Sequence, residues 1–111
     1  MTSANAASLQ ARITIPETRL EEFCWRNHIR RLSFFGSVLR DDFGPESDID
    51  VMVEFEPEHV PGLRFFTLHE ELGAIFGRRV DLTTRRAVED SPNYLRRKRI
   101  LDTTLALYVQ G

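Results

Sequence analysis

Residues 36–55 read GSVLRDDFGPESDIDVMVEF and combine a Gly-Ser pair, a turn-rich stretch and an apolar segment that opens with two aspartates. From Asp48 to Phe55 the sequence alternates well enough to predict a β-strand, in which successive side chains change face. Asp48 and Asp50 therefore share one face of this strand. Because two carboxylates about 4 Å apart repel by roughly 4 kcal/mol at a protein surface, the pattern predicts a positively charged ligand there.

The sequence on either side of this segment predicts strands separated by helices and turns, as in an α+β or α/β domain. Helical spacing of apolar residues, turn residues and short apolar runs define the elements. These are a helix at 16–27, strands at 29–36, 48–55 and 78–84, a brief helical turn after Gly36, a helix at 63–77, a helix after Pro92, and an apolar element near 105–109 that is either helix or strand.

The totals predict one folded domain in a reducing compartment. The chain has 111 residues, of which 41% are hydrophobic and 29% are charged, as expected for a globular protein with a single core. We expect residues 1–11 to form a flexible tail and residues 12–111 to form the domain. Cys24 is the only cysteine and is expected to be a buried thiol. No apolar run reaches bilayer length, so the expected location is the cytoplasm, without membrane contact.

Asp81 adds a third carboxylate on the predicted strand at 78–84, where Val80 and Leu82 face the opposite side. If this strand neighbours the one that carries Asp48 and Asp50, three acidic groups converge on one face. Carboxylate oxygens are the ligands that Mg²⁺ prefers, and Mg²⁺ completes its shell with water and substrate phosphates. The sequence therefore predicts a site that handles nucleotides.

Gly36 and Ser37 supply a second half for such a site. A glycine lets a ligand approach the backbone closely, and Ser37 offers a hydroxyl and an N–H at the start of a helical turn, where phosphate is favoured. A Gly-Ser turn and an Asp-x-Asp stretch are each weak signals. Their combination at this spacing, followed by Asp81, is much more specific.

The stretch at 36–55, followed by GRRVDLTT at 77–84, resembles the minimal nucleotidyltransferases of the DNA polymerase β-like superfamily, whose signature is Gly-Ser, ten residues, then Asp-x-Asp. The resemblance covers roughly residues 16–108. It implies a polymerase β palm-like fold, which is a small mixed β-sheet with helices packed on it. It also implies transfer of a nucleoside monophosphate to a hydroxyl, with release of pyrophosphate.

The resemblance assigns roles to matching residues. Asp48, Asp50 and Asp81 would be the catalytic and metal-binding carboxylates for two Mg²⁺ ions, and Asp81 would also orient or activate the attacking hydroxyl. The nucleotide-binding set would be Gly36, Ser37, Arg40 and Ser47. Asp41 stands where the family commonly has a glycine after the arginine.

The resemblance also implies a substrate and a partner. Proteins of this kind serve as antitoxins of HEPN-domain toxins and are thought to move AMP from ATP to a tyrosine of the toxin. The short chain has no room for a second, acceptor-binding domain, which agrees with an acceptor on a partner protein. The alternatives are an antitoxin that neutralises its partner by binding alone, and a stand-alone enzyme that modifies a small molecule.

Other features have simpler interpretations. A formal net charge of −2 gives no argument for nucleic-acid binding, and none is expected. The basic run YLRRKRIL at 94–101 is interpreted as a solvated helix face, with contact to an acidic partner or nucleic acid as the alternative. His28, His59 and His69 lack zinc-site spacing and are expected in surface or loop positions. Five aromatic residues are expected in the core: Trp25, Phe34, Phe35, Phe65 and Phe66.

Overall fold

The computed structural model describes Ile13, residues 15–40 and residues 43–110. Within these residues, four strands form one sheet, with four helices and a 3₁₀ turn around it. In chain order the elements are α1 (Glu17–Arg26), β1 (Ile29–Phe35), the 3₁₀ turn (Gly36–Leu39), β2 (Ile49–Phe55), α2 (Phe65–Phe76), β3 (Val80–Thr84), α3 (Arg85–Glu89), α4 (Tyr94–Asp102) and β4 (Leu105–Val109).

The sheet is mixed, with strand order β3-β2-β1-β4. β1 runs antiparallel to both β2 and β4, whereas β2 and β3 run parallel and are joined through α2. β2 and β3 therefore start at the same edge of the sheet, where β1 ends in the 3₁₀ turn. The predicted α+β fold with a small mixed sheet is confirmed.

The larger core lies on one face of the sheet, beneath α1 and α2. Apolar residues recur at helical spacing in α1, where Leu20, Phe23 and Cys24 are buried, and α2 ends at Gly77, which takes the left-handed conformation that favours glycine. Alternate strand residues complete this cluster. They include Leu32 and Phe34 of β1, Ile49, Val51 and Val53 of β2, and Val80 and Leu82 of β3.

A smaller cluster covers the other face of the sheet. Phe35 and Met52 project from the strands on this side and pack with Val88 of α3 and Ile100 of α4. Because strand side chains alternate, Asp50 and Asp81 must project on this second face as well. The short helices α3 and α4 thus pack on the face of the sheet that carries the carboxylates.

Two aromatic predictions were wrong. Trp25 is 79% exposed and Phe66 is 66% exposed, whereas Phe34 and Phe35 are buried and Phe65 is partly buried. Trp25 directly follows the buried part of α1, and one helical step of about 100° turns it to solvent. Phe66 is likewise one step past the face of α2 that meets the sheet.

The structure defines two elements that the sequence analysis did not assign. Residues 105–109 form a strand, β4, which pairs with β1 and settles the choice between helix and strand. α3 was not predicted as a helix. It is only five residues long and begins at a cap in which the Thr84 hydroxyl accepts the N–H of Ala87 at 3.0 Å.

The expected flexible tail at 1–11 lies outside the described residues, and the single domain at 12–111 stays a prediction. In the part of the chain that the structure describes, no helix has the length and apolar character needed to cross a bilayer. Cys24 is fully buried in α1, as predicted.

Candidate active site

Asp50 and Asp81 are direct neighbours on the two parallel strands. Asp50 is the second residue of β2 and is in register with Asp81 of β3 on one side and with Phe35 of β1 on the other. Paired residues of adjacent strands are about 4.8 Å apart and share a face. The two carboxylates therefore stand side by side at the edge of the sheet.

The carboxyl group of Asp50 lies in a setting that disfavours its charge. Burial raises its pKa above the ordinary value, and the negative charges of Asp81 and Asp48 raise it further. The backbone N–H of Ser37 donates to the Asp50 carboxylate and, with the charge of Arg40, offsets part of this rise. A cation bound at this position would relieve the repulsion among the three carboxylates.

Gly36 turns the chain tightly against Asp50. Its φ angle is +74°, a conformation that side-chain-bearing residues rarely adopt. A Cβ at position 36 would lie 2.3 Å from Oδ2 of Asp50. The next residue, Ser37, donates from its hydroxyl to the carbonyl oxygen of Asp48 at 3.4 Å. The Gly-Ser turn and the Asp-x-Asp segment are thus in direct contact.

Asp48 precedes β2 and faces a basic side chain. Its Oδ1 atom accepts from Nε of Arg79 at 2.9 Å, with 44% of the Asp48 side chain exposed. Among the described residues, these three carboxylates do not form a group whose ligand atoms all lie within 4.8 Å of one another. A common ion for all three carboxylates therefore requires at least one of these side chains to move.

The loop before Asp48 is held by Arg78. Its guanidinium donates to the carbonyl oxygens of Gly44 and Ser47 at 2.7 and 2.8 Å and lies over the ring of Phe43 at 4.4 Å. Ser47, an expected nucleotide-binding residue, accepts the N–H of Gly44 on its hydroxyl at 3.0 Å. This hydroxyl is therefore engaged inside the loop, and a nucleotide contact by Ser47 stays a prediction.

Two cavities flank Asp50. One has a volume of about 370 Å³ and lies beside the Gly-Ser turn and Arg40; the other has a volume of about 260 Å³ and lies beside Asp81. Phe35, Asp50, Arg96 and Ile100 line both. The site thus has one compartment on the side of the Gly-Ser turn and a second on the side of the third carboxylate. A larger cavity of about 650 Å³, lined by residues such as Arg30 and Glu54, is not formed by any of the three aspartates.

Arg96 and Arg99 are lining residues that the sequence did not assign to the site. Both belong to the basic run at 94–101, which was interpreted as a solvated helix face. They are exposed, but they line the cavity beside the Gly-Ser turn. Their positions relative to Ile100, which packs α4 on the sheet, could have indicated this role. Arg96 lies four residues before Ile100, and Arg99 directly precedes it.

The donor set fits a divalent cation. Asp50 and Asp81 present hard oxygen ligands side by side, and the negative charge of Asp81 adds to burial in raising the pKa of Asp50. Two carboxylates leave most of an octahedral shell for water and phosphate, which suits Mg²⁺. Asp48 is the third available ligand.

Two of the three histidines lie where the sequence predicts, and the third does not. His28 and His59 are exposed, as predicted, but their rings stack 3.9 Å apart beside Glu56. A metal ion must lie in the plane of each ligating ring, and two nearly parallel rings cannot share such an ion without reorienting. His69 is not a surface or loop residue, because it is partly buried within α2 and its Nε2 atom contacts the carbonyl of Val80.

A family profile for the nucleotidyltransferase domain matches residues 17–107. The chain belongs to this family. The match covers every described helix from α1 to α4 and most of β4, and it confirms the resemblance seen in the Gly-Ser and Asp-x-Asp segments.

Named relatives point in the same direction. The chain is 37% identical over 62 residues to the protein adenylyltransferase MntA of Thermococcus cleftensis. The aligned region covers 55% of this chain and 61% of the relative. Three proteins of Methanocaldococcus jannaschii match with similar identity. The chain spans about three fifths of the length of the curated relatives that it matches first.

Solved structures share the fold. A toxin-antitoxin crystallised with AMP-PNP has a TM-score of 0.65 at 18% identity, covering 86% of this chain and 75% of the other. A complex of a tri-AMPylated Shewanella oneidensis HEPN toxin with an MNT antitoxin has a TM-score of 0.57 at 18% identity, covering 99% and 74%. At this identity the likeness concerns the fold.

Proposed function

We propose that this nucleotidyltransferase domain transfers AMP from ATP to a hydroxyl group of a partner protein in a reaction that requires Mg²⁺. The observation that carries the proposal is the in-register pair Asp50 and Asp81, which stands against the Gly36 turn with one cavity on each side. A donor nucleotide and an acceptor can then approach Asp50 from opposite sides.

The residues around the two cavities would have different roles in the reaction. The Gly36 turn lets phosphate oxygens come close to the backbone, and Ser37 and Arg40 offer donors and positive charge beside the same cavity. Asp48, Asp50 and Asp81 would hold Mg²⁺, which neutralises phosphate charge and makes a bound hydroxyl more acidic. These groups position the α-phosphorus for attack, and little covalent chemistry is required of the protein.

Asp81 lies on the acceptor side in this scheme. The acceptor oxygen forms a bond to the α-phosphorus while the bond to the bridging oxygen of pyrophosphate breaks, and the hydroxyl proton passes to the exposed Asp81 carboxylate. Pyrophosphate leaves with the electron pair of the broken bond. The cavity of about 260 Å³ beside Asp81 gives a side chain of a partner protein access to this carboxylate.

We infer that the acceptor is a tyrosine of a HEPN-domain toxin and that the chain acts as the matching antitoxin. The support comes from relatives: one is named protein adenylyltransferase MntA, and a protein of the same fold was solved with a tri-AMPylated HEPN toxin. We place the reaction in the cytoplasm, where ATP and Mg²⁺ are abundant.

The test is transfer of label from α-³²P-ATP to a co-purified HEPN partner in the presence of Mg²⁺. Wild-type protein should label a tyrosine of the partner, whereas Asp50→Ala and Asp81→Ala should lose at least about a hundredfold in rate, since the reaction relies on charge neutralisation. Asp90→Ala is the matched control, because Asp90 is exposed and pairs only with Arg86 among the described residues.

Other outcomes separate the alternatives. A partner that is neutralised but never labelled would replace the proposal with an antitoxin that acts by binding alone. Transfer of label to a small molecule, with no labelled protein, would support a stand-alone enzyme. Absence of Mg²⁺-dependent turnover of ATP with any acceptor would exclude the enzymatic function.

A further inference from the structure

Two arginines of α4 lie outside the family motif and have no role in the proposed transfer of AMP. We propose that Arg96 and Arg99 form the subsite for the β- and γ-phosphates of the bound nucleoside triphosphate. This inference rests on the proposed function and deepens it, because it assigns the terminal phosphates to a helix distant in sequence from the Gly-Ser turn.

The packing of α4 directs these two side chains toward the site. Ile100 is buried against Phe35 and Met52 and fixes the face of α4 that meets the sheet. In a helix, residues three and four apart share a face, so Arg96 lies on the face of Ile100. Arg99 precedes Ile100 and borders that face. Both arginines line the cavity of about 370 Å³ that Gly36 and Ser37 also line.

The helix itself is anchored at its start. The side chain of Asn93 accepts the backbone N–H of Arg96 at 3.0 Å, which caps α4 next to the first of the two arginines. The cap satisfies a backbone donor and fixes the backbone of Arg96. The guanidinium of Arg96 therefore extends from an ordered position.

The four consecutive basic residues of α4 fall into two pairs with different contacts. Arg97 donates to the carbonyl of Ser91 and lies 5.3 Å from the ring centroid of Tyr94, and Lys98 pairs with Asp102 at 2.6 Å. By contrast, within the described ranges the guanidinium groups of Arg96 and Arg99 make no hydrogen bond or ion pair. Of the four basic side chains of α4, the two without a partner among the described residues are the two that line the cavity.

No carboxylate of the described residues pairs with Arg96 or Arg99, although Asp50 lines the same cavity. Their positive charge is therefore available to an anion that enters this cavity.

A triphosphate tail matches the chemistry of the cavity. Guanidinium groups bind phosphate oxygens through paired, charge-assisted hydrogen bonds. The volume of about 370 Å³ is within the range of small-molecule sites. A triphosphate tail in this cavity would have the Gly-Ser turn on one side and Arg96 and Arg99 on the other.

The test compares binding of ATP and AMP, each with Mg²⁺, to the full chain by isothermal titration calorimetry. Arg96→Met and Arg99→Met keep much of the apolar stem and remove the charge. Each should weaken ATP binding about tenfold, as expected for loss of hydrogen bonds to a charged group, and should leave AMP binding within about twofold. Both variants should also show a weaker dependence of ATP affinity on salt.

The controls are Arg97→Met and Lys98→Met, which remove the same charge from the same helix but from side chains with internal partners. They should leave ATP affinity within about twofold of wild type. Because Arg96 and Arg99 are exposed, their variants should melt within a few degrees of wild type, and thermal unfolding verifies this.

Three outcomes would overturn the inference. Equal losses of ATP affinity in all four variants would indicate a general effect of net charge. Unchanged ATP binding in Arg96→Met and Arg99→Met, with loss of partner binding, would assign the arginines to a protein interface. Failure of wild-type protein to bind ATP at all would remove the proposed function as well, whereas either of the first two outcomes rejects the phosphate subsite alone.

Discussion

Gly36 and Asp50 contact each other so closely that no side chain fits at position 36. A Cβ there would lie 2.3 Å from Oδ2 of Asp50, and the φ angle of +74° adds backbone strain for any other residue. We predict that Gly36→Ala lowers the free energy of unfolding by about 1–2 kcal/mol from the backbone alone. It should also abolish Mg²⁺-dependent ATP binding, because Asp50 must move. Calorimetry and thermal unfolding measure both effects.

Gly62→Ala is the control for this substitution, because no atom of the described residues outside 61–63 lies within 4 Å of a Cβ at position 62. It should leave ATP binding unchanged. Equal ATP affinity in Gly36→Ala and wild type would contradict the role given to the turn.

Asp50→Asn should stabilise the metal-free protein while it removes activity. Burial and the neighbouring Asp81 raise the pKa of Asp50, so its ionisation opposes folding. This cost is absent below the ordinary carboxyl pKa of about 3.9 and is complete above the raised value. We therefore expect a higher Tm for Asp50→Asn at pH 7 in EDTA, and a difference that narrows as the pH falls toward 4.

Added Mg²⁺ gives a second readout for the same variant. It should raise the Tm of wild-type protein, because an ion that binds the folded state stabilises it. It should have little effect on Asp50→Asn, because this variant lacks one of the carboxylate ligands. Asp102→Asn, which removes an exposed carboxylate paired with Lys98, should not gain stability. A lower Tm for Asp50→Asn than for wild type in EDTA would refute the prediction.

The Cys24 thiol should be unreactive in the folded protein. Burial, with a smaller contribution from Glu21, raises its pKa to about 12, so almost no thiolate exists at pH 8, and the side chain is fully buried. A chromogenic disulfide reagent should label it only as fast as the protein unfolds, and at once in denaturant. Rapid labelling of native protein would show that α1 opens readily.

Local patterns were sufficient to predict most of the fold. The helices α1 and α2 and the strands β1 to β3 follow from apolar spacing and from terminators such as Gly77. The five-residue run of β4 fits a helix or a strand equally well, and pairing with β1 decides between them. Trp25 and Phe66 were misplaced because composition favours burial of aromatic residues but does not say which face of a helix meets the sheet.

Part of the candidate site could be predicted from the sequence, and part depends on tertiary structure. The shared direction of Asp48 and Asp50 is a local property of a strand, and the sequence predicts it. The contact of Asp50 with Asp81 depends on the parallel register of β2 and β3, which the chain reaches only after the α2 crossover. Arg96 and Arg99 join the site because Ile100 docks α4, and a run of four basic residues conceals that orientation.

Arg78 should act as a positioning residue for Asp48. Its guanidinium joins the carbonyls of Gly44 and Ser47 and covers the ring of Phe43, so it fixes the loop that leads into the first carboxylate. We expect Arg78→Met to reduce stability by about 2 kcal/mol.

The effect on activity should be larger than the effect on folding. Small displacements of catalytic groups cost up to about a hundredfold in rate. Arg78→Met should therefore lower kcat by at least about tenfold at a temperature where the variant remains folded. Half-maximal activity should also require a higher concentration of Mg²⁺. Arg86→Met removes an exposed arginine that pairs with Asp90 at 3.9 Å and should change neither quantity. If Arg78→Met loses stability but keeps the wild-type kcat and Mg²⁺ dependence, the loop does not position Asp48, and the three carboxylates assemble without it.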